Sequence, residues 1–285
     1  QRLLPSQGIG VFVYDKRGTG ASGGVYTQDF WLLADDAVAA LKEVRRLAGP
    51  RAGRIGFQGP SQGGWVAPIA ASKSDVDFVI VSFGLAVSVI DEDQEAIAFE
   101  MGLKGHGPEV IAKGLEIGRA AETLFETGFT EGFEAFDDVR SRYRNEPWYG
   151  DVRGNFTHFI LPMSAEEIRK AATAFRFGTP WRYDPLPTLE RLKTPQLWVL
   201  GGQDFDAPSG ETARRLEGLI ARGRPITLAL YPNAEHGLTE FETAADGSRV
   251  STRYVAGYYR LMRDFARGDR LNPPYGDARI SSPRR

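Results

Sequence analysis

The residues Gly59-Pro60-Ser61-Gln62-Gly63 hold a serine between glycines at the spacing G-x-S-x-G. A serine hydroxyl attacks an acyl carbonyl only when the backbone presents it and a neighbouring base takes its proton. A tight strand-to-helix turn does the presenting, and flanking glycines leave room for its strained backbone. With 33 glycines in 285 residues the spacing alone is cheap. Its setting is what gives it weight. An apolar strand candidate at 54–58 precedes it, and the run Gly64-Trp65-Val66-Ala67-Pro68-Ile69-Ala70-Ala71 after it reads as a helix. Histidine is the usual base at neutral pH, and the chain has three. His106 lies in a glycine-rich loop segment and His158 in a region with no matching strand signal. His236 directly follows a strand candidate at 225–231, in the turn Pro232-Asn233-Ala234-Glu235-His236-Gly237. His236 is therefore the expected base. The base needs an orienting carboxylate. The apolar run 195–200 leads into Gly201-Gly202-Gln203-Asp204, which makes Asp204 the expected partner, with Asp206 and the cluster Asp91-Glu92-Asp93 as rivals. Gln62, next after the nucleophile, is expected to give its backbone N–H to the oxyanion.

These side chains must be delivered to one sheet edge. Strand patterns fall near 9–14, 54–58, 78–83, 196–201 and 226–231, and helical patterns near 29–47, 63–72, 209–221 and 252–266. Strand alternating with helix predicts an α/β fold, a mostly parallel sheet with helices on both faces. In the first helix Trp31, Leu32, Ala39, Leu41, Val44 and Leu47 are expected to face the core. The expected organisation is a core of residues 1–90 and 187–285 interrupted by a helical insertion at 91–186. That insertion is far too long for a simple crossover. It carries Trp148, Tyr149, Phe156, Phe159, Phe175, Phe177 and Trp181, which form its own core or, as a cap, an apolar pocket over Ser61. Trp148 and Trp181 are the candidate substrate-binding residues. The tail 272–285 reads as loosely held.

The order Ser61, Asp204, His236, each after a strand, resembles the α/β-hydrolase superfamily. The segment Asp15-Lys16-Arg17-Gly18-Thr19-Gly20-Ala21-Ser22 is similar to the D-x-R-G-x-G-x-S stretch before the nucleophile strand in these enzymes. The region around the elbow looks most like bacterial esterases and prolyl-oligopeptidase-like hydrolases. The resemblance covers about 1–90 and 187–266. It implies a Ser61 nucleophile, an Asp204 orienter, a His236 base, an acyl substrate and no cofactor. Members usually carry three strands before the D-x-R-G segment, and a loop there gives a second oxyanion N–H. Here the first strand candidate begins within ten residues of Gln1. The expectation is a longer natural protein, or a separate chain, that completes the sheet.

Thirty-five basic and 37 acidic residues give a net charge of −2. No basic stripe appears, so nucleic acid is not an expected partner. No apolar run is long enough to span a membrane. The absence of cysteine excludes disulfides and thiolate metal sites and leaves the compartment open. The run Gly18-Thr19-Gly20-Ala21-Ser22-Gly23 fits G-x-G-x-x-G. A dinucleotide site needs the helix to open within those glycines, and the helical pattern starts only near Asp29. The glycines are expected to shape a loop beside the active site instead.

Overall fold

The computed structural model describes residues 3–283, the side chains of Ala174 and Phe175 excepted. The side chain of Phe175 and the terminal Arg284 and Arg285 lie outside the described residues. In chain order the elements are α1 (Phe30–Ala48), β1 (Gly56–Pro60), α2 (Gly63–Ser72), β2 (Phe78–Ser82), α3 (Val89–Leu103), α4 (Pro108–Glu126), α5 (Phe133–Tyr143), α6 (Thr157–Ile160), α7 (Ala165–Ala171), α8 (Leu186–Arg191), β3 (Gln196–Gly201), α9 (Gly210–Ala221), β4 (Ile226–Tyr231), β5 (Thr239–Thr243), β6 (Arg249–Tyr254), α10 (Tyr258–Arg267) and β7 (Arg279–Ser281). The chain forms two compact units, residues 1–86 with 185–285, and residues 87–184.

The first unit is an α/β layer structure. Its sheet runs β1-β2-β3-β4-β7, parallel from β1 to β4, with β7 antiparallel on β4. β2 and β3 are buried along their whole length. Successive side chains of a strand point to opposite faces, and the core divides accordingly. Val79, Val81, Trp198, Leu200 and Leu228 pack with Leu41, Ala67, Leu189 and Leu216 from α1, α2, α8 and α9. Phe78, Ile80, Leu197, Val199, Ala229 and Tyr231 pack with Tyr258, Leu261 and Met262 of α10. Parallel strands covered on both faces read as unbroken apolar runs, as these do.

Four expectations need correction. First, residues 9–14 form no strand: a strand exists through its partner's hydrogen bonds, and none is made here. Val11, Phe12, Val13 and Tyr14 are 40–55% exposed. Among the described residues no strand pairs with the outer edge of β1. A hollow of about 1140 Å³ lies there, lined by Val11, Phe12, Leu41, Val44, Phe57 and Gln62 among others, and by neither Ser61 nor His236. Second, the buried stripe of α1 is Phe30, Leu33, Ala34, Ala37 and Leu41, at i, i+3, i+4, i+7 and i+11. Trp31, Leu32 and Leu47 are exposed, so the helix is turned from the expected phase. Third, residues 249–254 are the second strand of a hairpin with β5, and α10 begins only after Gly257. The turn Asp246-Gly247, with Gly247 at φ +83°, is a hairpin signal that the helical pattern obscured. Fourth, the tail is anchored as far as Ser281. β7 pairs with β4, and Tyr275 is fully buried, its hydroxyl donating to Asp264 Oδ2 at 2.8 Å.

The second unit is helical. Ile97 and Met101 of α3, Ile117, Leu124 and Phe125 of α4, Phe136 of α5, and Ile160 and Ile168 build its core. Asp93, 2% exposed, ties that core together by accepting from the Phe156 N–H at 2.6 Å and the Thr157 N–H at 3.0 Å. Among the described residues no helix of either unit is long and apolar enough to cross a membrane.

Candidate active site

β1 delivers Ser61 into the turn before α2. Ser61 has φ +49°, a left-handed conformation that costs of order 1–3 kcal/mol and is held only by its surroundings. The Ser61 N–H donates to the Ser82 carbonyl at 2.9 Å, continuing the β1–β2 pairing, and the Gly64 N–H donates to the Ser61 carbonyl at 2.8 Å. Gly59 is required by space: a Cβ there would stand 2.7 Å from the Gly63 Cα, whereas a Cβ on Gly63 would meet only Pro60 Cδ at 3.7 Å. No described residue accepts from the Gln62 N–H. It sits at the N-terminus of α2, where free N–H groups and the helix dipole favour negative charge.

The Gln62 side chain is gripped from the D-x-R-G loop. Lys16 Nζ donates to Gln62 Oε1 at 2.8 Å and to Gln28 Oε1 at 3.0 Å, and burial lowers the pKa of this amine. The loop is fixed by the Arg17–Asp36 ion pair and by the Ala21 N–H on Asp15 Oδ2 at 2.8 Å. α1 starts after it, with Asp29 as its N-cap. The glycines of this loop therefore do not open a helix, and the dinucleotide arrangement is absent.

β3 and β4 end on the same edge of the sheet. Asp204 follows β3 and is 1% exposed; its Oδ2 lies 3.0 Å from His236 Nδ1 and its Oδ1 3.2 Å. The Ala207 N–H donates to Asp204 Oδ1 at 2.8 Å. Burial pushes the Asp204 carboxyl up from its ordinary value, against the pull of its His236 hydrogen bond. Burial also opposes protonation of His236, but the hydrogen bond and charge of Asp204, with Asp206 and Glu235, outweigh it and leave its pKa raised. The charge of Asp206 raises the pKa of both members of this pair. Asp91 caps α3 in a reciprocal box with Ser88. The His106 ring is taken by Asp151 at 2.8 Å, and His158 Nδ1 meets the Gly154 carbonyl at 2.6 Å. Trp148 is buried in the core of the helical unit. Trp181 is half-buried there, stacked on Phe125 at 4.9 Å and edge-on to Phe156 at 4.9 Å.

Three residues at this edge make contacts that had no clear signal in the sequence. Phe83, at the end of β2, sets its ring edge against His236 with centroids 4.8 Å apart. Arg249 of β6 donates to the Gln203 carbonyl at 2.6 Å and lies over the Phe205 and Phe241 rings. Ser251 of the same strand bonds Glu235 Oε1. The β5–β6 hairpin thus laces the loop of Asp204 to the loop of His236.

No family model matches the chain. The acylamino-acid-releasing enzyme of Rattus norvegicus is 36% identical over 62 residues, 22% of this chain and 8% of that enzyme. The Homo sapiens enzyme is 34% identical over 62 residues, again 8% of its length. The chain therefore matches only a small part of these relatives. Among solved structures, an esterase from Thermogutta terrifontis is 24% identical, with 78% of this chain and 71% of that one covered and a TM-score of 0.39. The acylaminoacyl peptidase of Pyrococcus horikoshii is 16% identical, covering 72% and 23%, with a TM-score of 0.36. Over the stretches given, the chain is thus similar to an esterase, an acylaminoacyl peptidase and the acylamino-acid-releasing enzymes.

Proposed function

We propose that this chain is a serine hydrolase that cleaves carboxylic esters of small hydrophobic substrates through an acyl-enzyme on Ser61. The observation that carries the reading is the His236 Nδ1–Asp204 contact of 3.0 Å, made by a fully buried carboxylate at the sheet edge where Ser61 holds its strained turn. Asp204 fixes the proton on Nδ1 and leaves Nε2 to accept. His236 Nε2 takes the Ser61 proton as Oγ forms a bond to the acyl carbon. The carbonyl π electrons move to the oxygen, beside the Gln62 N–H. The oxyanion collapses, the ester C–O bond breaks, and the alcohol leaves with the proton from His236. Water then repeats the sequence on the acyl-enzyme and frees the acid. The hydrophobic preference is proposed from the aromatic content of the helical unit, with Trp181 rather than the buried Trp148 as the residue proposed to set substrate size.

Cleavage of an acyl-amino-acid amide is the second reading, favoured by the 62-residue match to acylamino-acid-releasing enzymes. A fluorophosphonate probe tests the class: Ser61 is labelled in the native chain and not after Ser61→Ala. A panel of ester, thioester and aminoacyl-amide substrates then separates esterase from peptidase, thioesterase or acyltransferase. No labelling and no turnover on the panel would leave a non-catalytic protein of this fold.

A further inference from the structure

Phe83 takes φ +43°. For a bulky side chain this is a strained backbone conformation, which persists only where the surroundings impose it. Its N–H still donates to the Val199 carbonyl at 2.7 Å, so the β2–β3 pairing runs up to the strained residue and the chain turns sharply there. The turn brings Gly84 against the elbow. A Cβ on Gly84 would lie 2.7 Å from the Ser61 carbonyl oxygen and 2.9 Å from the Gly64 Cα. The Phe83 ring meanwhile meets the His236 imidazole at 4.8 Å, the two planes inclined by 71°. One two-residue turn therefore touches the nucleophile's backbone with one residue and the base's ring with the other. β2, which carries it, lies between the strands that lead to Ser61 and Asp204.

From this geometry we infer that Phe83 is a positioning residue: its left-handed turn seats the elbow, and its ring fixes the imidazole plane of His236 against Asp204. The inference rests on the hydrolase reading for its kinetic consequence and on the coordinates alone for its structural one. The strained turn at Phe83 meets the elbow backbone through Gly84 and the ring of the base through its own side chain.

The test compares Phe83→Ala, Phe83→Gly and Phe83→Tyr in the full chain. Both truncations should lower kcat by about tenfold with little change in KM, the rate equivalent of losing one aromatic contact. Phe83→Tyr, which restores the ring, should recover most of that loss. Glycine takes the left-handed conformation freely, so Phe83→Gly should melt no lower than Phe83→Ala, against the usual order of the two residues. The His236 ring resonances, read by NMR, should move in both truncations. That readout needs no turnover: an inactive wild type would overturn the hydrolase reading, and the ring resonances would still judge the contact. Wild-type kcat in Phe83→Ala, a loss confined to KM, or unmoved His236 resonances would overturn the inference.

Discussion

Replacing Asp204 by asparagine removes one charge and no volume, and the coordinates say which way the amide must face. The Ala207 N–H donates to Oδ1 at 2.8 Å in a site where the side chain is 1% exposed. A buried N–H left without an acceptor costs about 1–3 kcal/mol, so the asparagine oxygen stays at Oδ1. The amide NH2 then occupies the Oδ2 position, the nearer of the two to His236 Nδ1 at 3.0 against 3.2 Å, and donates to it. Nδ1 becomes an acceptor, the imidazole proton moves to Nε2, and the nitrogen that should take the Ser61 proton already carries one. In a well-studied protease the same exchange lowers kcat about 10⁴-fold, equivalent to about 5 kcal/mol of barrier. A loss of that order is expected here, measured as kcat on an activated ester beside the rate of fluorophosphonate labelling. The imidazole tautomer, read by ¹⁵N NMR, should switch in the variant. Asp206→Asn, which leaves the Asp204–His236 hydrogen bond in place, should lower kcat far less. An Asp204→Asn enzyme within about tenfold of wild type would refute the tautomer argument.

Ser61→Ala should abolish turnover, by about 10⁶-fold if the triad acts as a unit, with the circular dichroism spectrum and melting unchanged; near-native hydrolysis would remove Ser61 from the mechanism. His236 must be neutral to act as base, and its pKa is raised, so it stays protonated to higher pH than usual. The acid limb of kcat/KM should accordingly fall above the ordinary histidine value of about 6.5, and a limb below it would contradict the charge balance described. Trp148→Ala empties a buried site in the helical unit and should cost about 3–5 kcal/mol, seen as an earlier thermal transition. Trp181→Ala should alter the preference among p-nitrophenyl esters of increasing chain length; an unchanged profile would restrict Trp181 to packing.

The parts legible in sequence are those fixed by local chemistry. β3 and β4 could be read because a strand covered on both faces is a continuous apolar run, and α2 because a run of small and apolar residues follows the elbow, although Pro68 lies inside it. Asp204 and His236 could be placed because each follows such a strand, and Ser61 because its G-x-S-x-G turn marks it where the partly exposed β1 does not. The stretch 9–14 misled because an apolar pattern states a tendency and not a partner. The α1 stripe misled because Trp31, Leu32 and Leu47 sit beside the buried positions and share their apolar character. Phe83 and Arg249 were hidden for a different reason. Their roles depend on residues more than 40 positions away, His236 in one case and Gln203 in the other, and no spacing rule relates them.

The β5–β6 hairpin has a consequence for heat. It is a two-stranded ribbon outside the main sheet, and β6 is exposed along most of its length. Isolated ribbons of this kind are marginal in water, and such segments open at lower free energy than the core. Yet Arg249 and Ser251 on this ribbon hold the loops of Asp204 and His236. Opening the ribbon releases both loops while the buried β2 and β3 stay paired. Catalysis should therefore fail before the sheet melts, reversibly, with amide hydrogen exchange at 249–254 rising at the temperature where the rate begins to fall. The working temperature ceiling of this chain would then be set by its least buried element.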